Sequence, residues 1–152
     1  MKNKLADRWM LAMLVLVLAL FTGGCSSFHK EWRTAAKQPT PADEMTGRWQ
    51  GMWHSDENGH QGKLKCVVSR VDDTHYRATY YATYKSILHF GYTASLQVEK
   101  KGTEFVFKGD ADLGSLAGGV YTYEGRANPT NFFSTYSSKY DHGTYQLKRP
   151  SP

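Results

Sequence analysis

The chain has 152 residues, 19 of them Lys or Arg against 14 Asp or Glu, and 14% of them are aromatic. That length holds one domain rather than two, and a pair of cysteines is too few for a disulfide-built scaffold. The formal net charge of +5 sits partly in the first residues: beyond residue 24, 16 basic face 13 acidic side chains, a net of +3 that gives no ground for a nucleic-acid partner.

Lys2, Lys4 and Arg8 precede an apolar run from Trp9 to Phe21, after which come Thr22, Gly23, Gly24 and Cys25. Thirteen apolar residues fall short of the ~20 that a helix needs to cross a bilayer, so the run reads as a signal sequence. Leu20-Phe21-Thr22-Gly23-Gly24-Cys25 resembles the lipobox of bacterial lipoproteins. The resemblance implies cleavage of residues 1–24, acylation of Cys25 and attachment to a membrane through its acyl chains. Ser26 resembles the outer-membrane-directed class of that family, since the aspartate linked to inner-membrane retention is absent. The expected location is therefore the cell envelope, at the outer membrane facing the periplasm in a Gram-negative cell. With Cys25 acylated, Cys66 has no partner in its own chain and is expected to be a small buried residue.

Residues 25–45 are polar and interrupted by Pro39 and Pro41. They read as a flexible tether with a helical turn near Glu31–Lys37.

From Thr46 to Arg149 apolar and polar residues alternate with period two. Trp49, Gly51 and Trp53 share one face of a first run, and Leu64, Cys66 and Val68 one face of a second. A third carries Tyr76, Ala78, Tyr80, Ala82 and Tyr84; a fourth runs from Leu88 through Phe90 and Tyr92 to Val98. Phe105 with Phe107, Tyr121 with Tyr123, Phe132 to Ser138, and Tyr145 with Leu147 mark four more. Between them fall turn-formers such as Asn58-Gly59, Asp72-Asp73, Lys101-Gly102, Gly118-Gly119 and Asn128-Pro129. Eight short strands in 104 residues predict an all-β domain, a single antiparallel eight-stranded barrel over 46–149, with a two-sheet sandwich as the alternative. The alternate face carries Lys, Arg, His, Thr, Ser and Gln, so it meets water and the aromatic face turns inward.

Gly47-Arg48-Trp49 opens the first strand, and Arg149 stands at the end of the last. The Gly-x-Trp element at this place resembles the start of the calycin superfamily, which includes lipocalins, avidins and fatty-acid-binding proteins. That resemblance implies that Trp49 closes one end of the barrel with Arg149 packed across its ring, a cation–π contact.

An eight-stranded barrel is just wide enough to be filled by side chains or to hold one small ligand. The expected interior is rich in tyrosine, and each buried hydroxyl needs a partner. A packed core and a ligand cavity both stay open at this point. For the cavity, the residues expected to touch a small, partly apolar molecule are Trp53, Tyr76, Tyr80, Phe90, Tyr92 and Tyr123. The Gly-rich stretch Asp112 to Gly119 reads either as a lid or as a tight connection.

No metal site and no cofactor are expected. His54, Asp56, Glu57 and His60 cluster near the first turn as a surface group would, and Asp110 with Asp112 lacks the further ligands of a calcium loop. Nucleophile elbows, His-Glu-x-x-His and phosphate loops are missing, so no catalytic residue is assigned. The expected function is a non-enzymatic envelope lipoprotein binding a small molecule in its barrel. The alternative is a scaffold or assembly lipoprotein, solid inside, acting through contacts with other envelope proteins.

Overall fold

The computed structural model describes residues 23–39 and 43–151, with side chains from residue 27 onward. Most of the expected signal sequence (1–22), and the side chain of Cys25, lie outside the described residues.

Eight antiparallel strands close on themselves in chain order: β1 (Gly47–Ser55), β2 (Gln61–Arg70), β3 (His75–Tyr84), β4 (Leu88–Lys101), β5 (Glu104–Asp112), β6 (Val120–Ala127), β7 (Asn131–Ser137) and β8 (His142–Lys148). Pairing of β1 with β8, from Gln50↔Lys148 to Ser55↔Gly143, completes the ring and removes the sandwich alternative. Closure leaves no free sheet edge along most of the wall.

Alternation decides what each strand buries. Trp49, Leu64, Cys66, Ala78, Tyr80, Ala94, Leu96, Phe107, Tyr123, Phe132 and Leu147 are all nearly or wholly buried on the inside. Their neighbours Lys63, Lys65, Arg77, Gln97, Glu99, Lys108, Glu124 and Lys148 point outward. A lipid-spanning barrel would need an apolar outer band, and those charges are incompatible with one. No helix among the described residues is long and apolar enough to cross a membrane.

The expected tether differs. Its first part is helix α1 (Gly23–Ala36), laid against the outer faces of β1 to β4. Phe28, Trp32 and Ala35 sit at helical spacing, and Phe28 is 1% exposed with its ring stacked on Tyr81 at 5.1 Å. Arg48 and Lys65 approach the Trp32 ring at 5.2 and 4.9 Å, and Glu31 pairs with Arg77 at 3.4 Å. An apolar face of three residues is too narrow to stand out in the sequence, and the barrel's own cations complete it. Met45, also assigned to the tether, is wholly buried under the barrel.

Most turns follow their chemistry. Gly59 and Gly102 take positive φ, Asp72 accepts the backbone N–H groups of Thr74 and His75, and Asn128 accepts those of Thr130 and Asn131. The β3–β4 turn does not. Lys85 and Ser86 hold φ of 49° and 64°, the left-handed central pair of a turn closed by Ile87 N–H donating to the Tyr84 carbonyl at 3.3 Å, a pair that Asn-Gly suits far better. Replacing them with Lys85→Asn and Ser86→Gly should raise stability by about 1 kcal/mol, read as a melting temperature about 4 °C higher. An unchanged melting temperature would show that the turn carries no strain.

Candidate ligand-binding site

The two ends of the barrel are built differently. At one end, Trp49 is fully buried and its Nε1 donates to the Met45 carbonyl at 2.9 Å. Arg149 lies over the ring with Cζ 3.7 Å from the centroid. Its guanidinium donates to the carbonyls of Thr46 and Glu44 at 2.8 Å each and to those of Arg48 and Pro129 at 3.3 Å. Burial draws the Arg149 pKa down to about 10, but four carbonyl oxygens and an indole face favour the cation, so it stays charged at neutral pH. Gly47, at φ +102°, passes beneath, and a Cβ there would sit 3.2 Å from the guanidinium. The structure thus brings Trp49 and Arg149 together, and one arginine ties the segment before β1 to the β6–β7 turn.

Above this plug the interior is packed. Phe107 and Phe132 stack at 4.9 Å beside Trp49, and the rings of Tyr80, Tyr92, Tyr123 and Tyr145 pile across the middle with centroids 5.1 to 6.4 Å apart. The hydroxyls of Tyr92 and Tyr145 share a hydrogen bond of 2.6 Å. Those of Tyr80 and Tyr123 are buried and have no hydrogen-bond partner among the described residues. Burial pushes the hydroxyls of Tyr80, Tyr92 and Tyr145 well above the ordinary tyrosine range and that of Tyr123 up to about 12, so all four are neutral. Cys66 is wholly buried, and that burial raises its thiol pKa, which leaves it unreactive.

At the other end the side chains no longer meet, and a cavity of about 640 Å³ opens above the Tyr92–Tyr145 pair. Trp53, Leu64, Ala82 and Phe90 line one side, and Leu113 and Tyr121 the other. Trp53 is fixed by its Nε1 donating to the Thr83 carbonyl at 3.1 Å. Asp141 also borders the space. Its carboxylate is held by Ser55, whose hydroxyl donates at 2.6 Å, and by Tyr136, whose hydroxyl donates at 3.2 Å. The Tyr136 hydroxyl is pushed up by burial first and by that carboxylate second, and so remains a donor.

The mouth has a notch in its wall. Strand β4 pairs with β3 from Leu88 onward, but its ladder to β5 begins only at Ser95. Residues Leu88 to Ala94 therefore form a tongue beside the β5–β6 connection. That connection carries a single turn of 3₁₀ helix (Ser115–Ala117) and borders the cavity through Leu113 and Ala117. Asp112 accepts the Gly114 N–H at 2.9 Å, an ordinary capped turn.

The expected ligand residues divide accordingly. Trp53, Phe90 and Tyr92 border the cavity, whereas Tyr80 and Tyr123 lie buried beneath its floor and do not reach it. Tyr76 does not border the cavity either: it pairs with Arg70 and Leu96 at the plugged end, far from the mouth. Phe90 keeps inward parity but is 49% exposed, because β4 has left the ring at that height. Parity along a strand gives the side on which a residue lies and says nothing of its depth. Tyr145, Tyr136 and Asp141 were not singled out for the site; Tyr145 was readable as interior, whereas Asp141 came from a turn. Near the rim, His54 pairs with Asp56 at 3.1 Å and His142 with Glu57 at 3.5 Å, and His60 sits against Tyr84. No three His, Cys, Asp or Glu side chains converge among the described residues.

No protein-family model matches the chain, and no curated protein matches its sequence.

The plug carries a direct test. Arg149→Ala should lose about 3 kcal/mol in chemical denaturation, since it removes the cation–π contact and strands several carbonyls. Arg149→Lys, which keeps the charge but not the fork, should recover less than half of that. Equal stability of the lysine variant and the parent would show that the charge alone matters.

Proposed function

We propose that this chain is a membrane-anchored lipoprotein of the cell envelope whose calycin-like barrel binds a small, partly apolar molecule, without catalysis. Residues 1–24 act as its signal sequence and Cys25 carries its acyl chains. If the cell has an outer membrane, that is where the domain hangs, in the periplasm.

The observation behind the binding role is a one-ended cavity of about 640 Å³ with aromatic walls, within the range of small-molecule sites. Its polar features are few and converge: the Tyr92 and Tyr145 hydroxyls at the floor and the Asp141 carboxylate on the wall. Such a site suits a slender apolar body with one hydrogen-bonding end, the apolar part against Trp53, Leu64 and Phe90. The plug of Trp49 and Arg149 at the far end supports the calycin likeness, since a single cation–π lid closes the barrel there. Against catalysis stands the chemistry of the wall: Ser55 is wholly buried and committed to Asp141, and Cys66 is sealed in the core.

The full-length protein, extracted in detergent from its own membranes, should release a stoichiometric small molecule on denaturation in a mass spectrometer. In parallel, the apolar fluorophore N-phenylnaphthylamine should bind the emptied protein, and Ala82→Trp, which fills the cavity from the β3 wall, should weaken that binding by at least about tenfold. Binding unaffected by Ala82→Trp, with no released molecule, would favour the scaffold role, to which the solid lower half of the barrel is equally suited.

A further inference from the structure

Helix α1 runs down the barrel from the mouth towards the plug. Phe28 stacks on Tyr81, and three residues later Glu31 pairs with Arg77, four positions nearer the plugged end of the same strand. By Thr34, and Gln38 just past the helix end, the chain has reached Thr46, Gly47 and Ser69. The start of the helix therefore points the other way. From Phe28 back to Gly23 the helix rises about 7.5 Å, and from Tyr81 to the end of β3 at Tyr84 the strand advances about 10 Å. The chain thus enters the domain roughly level with the rim of the cavity, beside the β3–β4 hairpin.

That side of the rim is apolar. Ile87 in the β3–β4 turn and Leu88 and Phe90 on the tongue are 76%, 54% and 49% exposed, and Leu116 and Val120 across the notch are 104% and 54% exposed. Monomeric proteins rarely gather so many exposed aliphatic residues on one lip. Lys85 caps the tongue, where its ammonium would meet lipid phosphates. The β1–β2 turn, the next hairpin around the mouth, carries Asp56 and Glu57 and is suited to water.

From these two placements we infer that the mouth of the barrel rests on the bilayer surface, with Ile87, Leu88, Leu116 and Val120 sunk into the interface and the β4–β5 notch opening onto lipid. This inference rests on the anchored-lipoprotein reading for the short leash at Cys25, and adds to it the orientation of the domain. The occupant of the rim is a phospholipid surface, because the apolar residues flank the point where the chain comes off its anchor. The site then exchanges its ligand with the membrane rather than with water.

The test uses the full chain bound to vesicles of phosphatidylethanolamine and phosphatidylglycerol that include a lipid with a doxyl quencher near its headgroup. Environment-sensitive fluorophores are placed singly through Ile87→Cys, Leu116→Cys and, at the plugged end, Val71→Cys, which is 68% exposed; Cys66 is buried and does not compete. Labels at 87 and 116 should lose about half of their emission to the doxyl lipid and the label at 71 none, as interfacial burial of the rim alone requires. Equal behaviour at all three sites on vesicle-bound protein would overturn the orientation while leaving the anchor intact. Shielding of 87 and 116 from aqueous iodide without doxyl quenching would mean that a protein, this chain's second copy included, covers the rim, and would overturn it too. Failure of the chain to float with vesicles, with no acyl mass on the Cys25 peptide, would remove the anchor reading and the orientation with it.

Discussion

One arginine laid on one indole organises this fold. Arg149 over Trp49 is half-buried, charged and bonded to four backbone carbonyls drawn from two segments, residues 44–48 and the β6–β7 turn. A cation held in that way cannot be removed without stranding its acceptors, so the start of β1, the β6–β7 turn and the end of β8 are locked into one unit. Closure of the β-ring by β1 and β8 would leave a tube; the plug turns the tube into a cup. Everything proposed about function follows from the cup having a bottom.

The tyrosines set how deep the cup is. Four rings stacked across the middle fill the lower barrel, and above the Tyr92–Tyr145 hydrogen bond the side chains of the wall no longer meet across it. Ala82 and Leu64 leave room there, and the departure of β4 from β5 on the mouth side of Ser95 opens the wall. Interior packing and cavity are thus not rival descriptions of this barrel. One occupies the lower part and the other the upper, and the hydroxyls between them form the boundary where a polar group on a ligand would be satisfied.

Strand number, inward parity and most turns were legible because the pattern repeats with period two and the turns carry Asn-Gly, Lys-Gly and Asp-Asp. The pairing of Trp49 with Arg149 was legible only through a family likeness, since nothing local joins residues a hundred positions apart. Three features were not legible, each for a physical reason. Helix α1 has a face of Phe28, Trp32 and Ala35 that makes sense only once Arg48, Lys65 and Tyr81 are in place from the barrel. Lys85 and Ser86 form a turn that their own preferences disfavour, imposed by the long pairing of β3 with β4. The depth of Tyr76, Tyr80 and Phe90 along the barrel depends on stagger between strands, which alternation does not encode.

The central claim is a cup sealed at the Trp49 end and open above the tyrosine floor. A crystal structure of the full-length protein extracted from its own membranes tests it most directly. The account predicts Arg149 ordered over Trp49 and elongated non-protein density between Trp53, Phe90 and Tyr121, ending near the Tyr92 and Tyr145 hydroxyls. A mouth filled by Leu113 and the tongue collapsed onto Tyr145, with no room left above the floor, would contradict it.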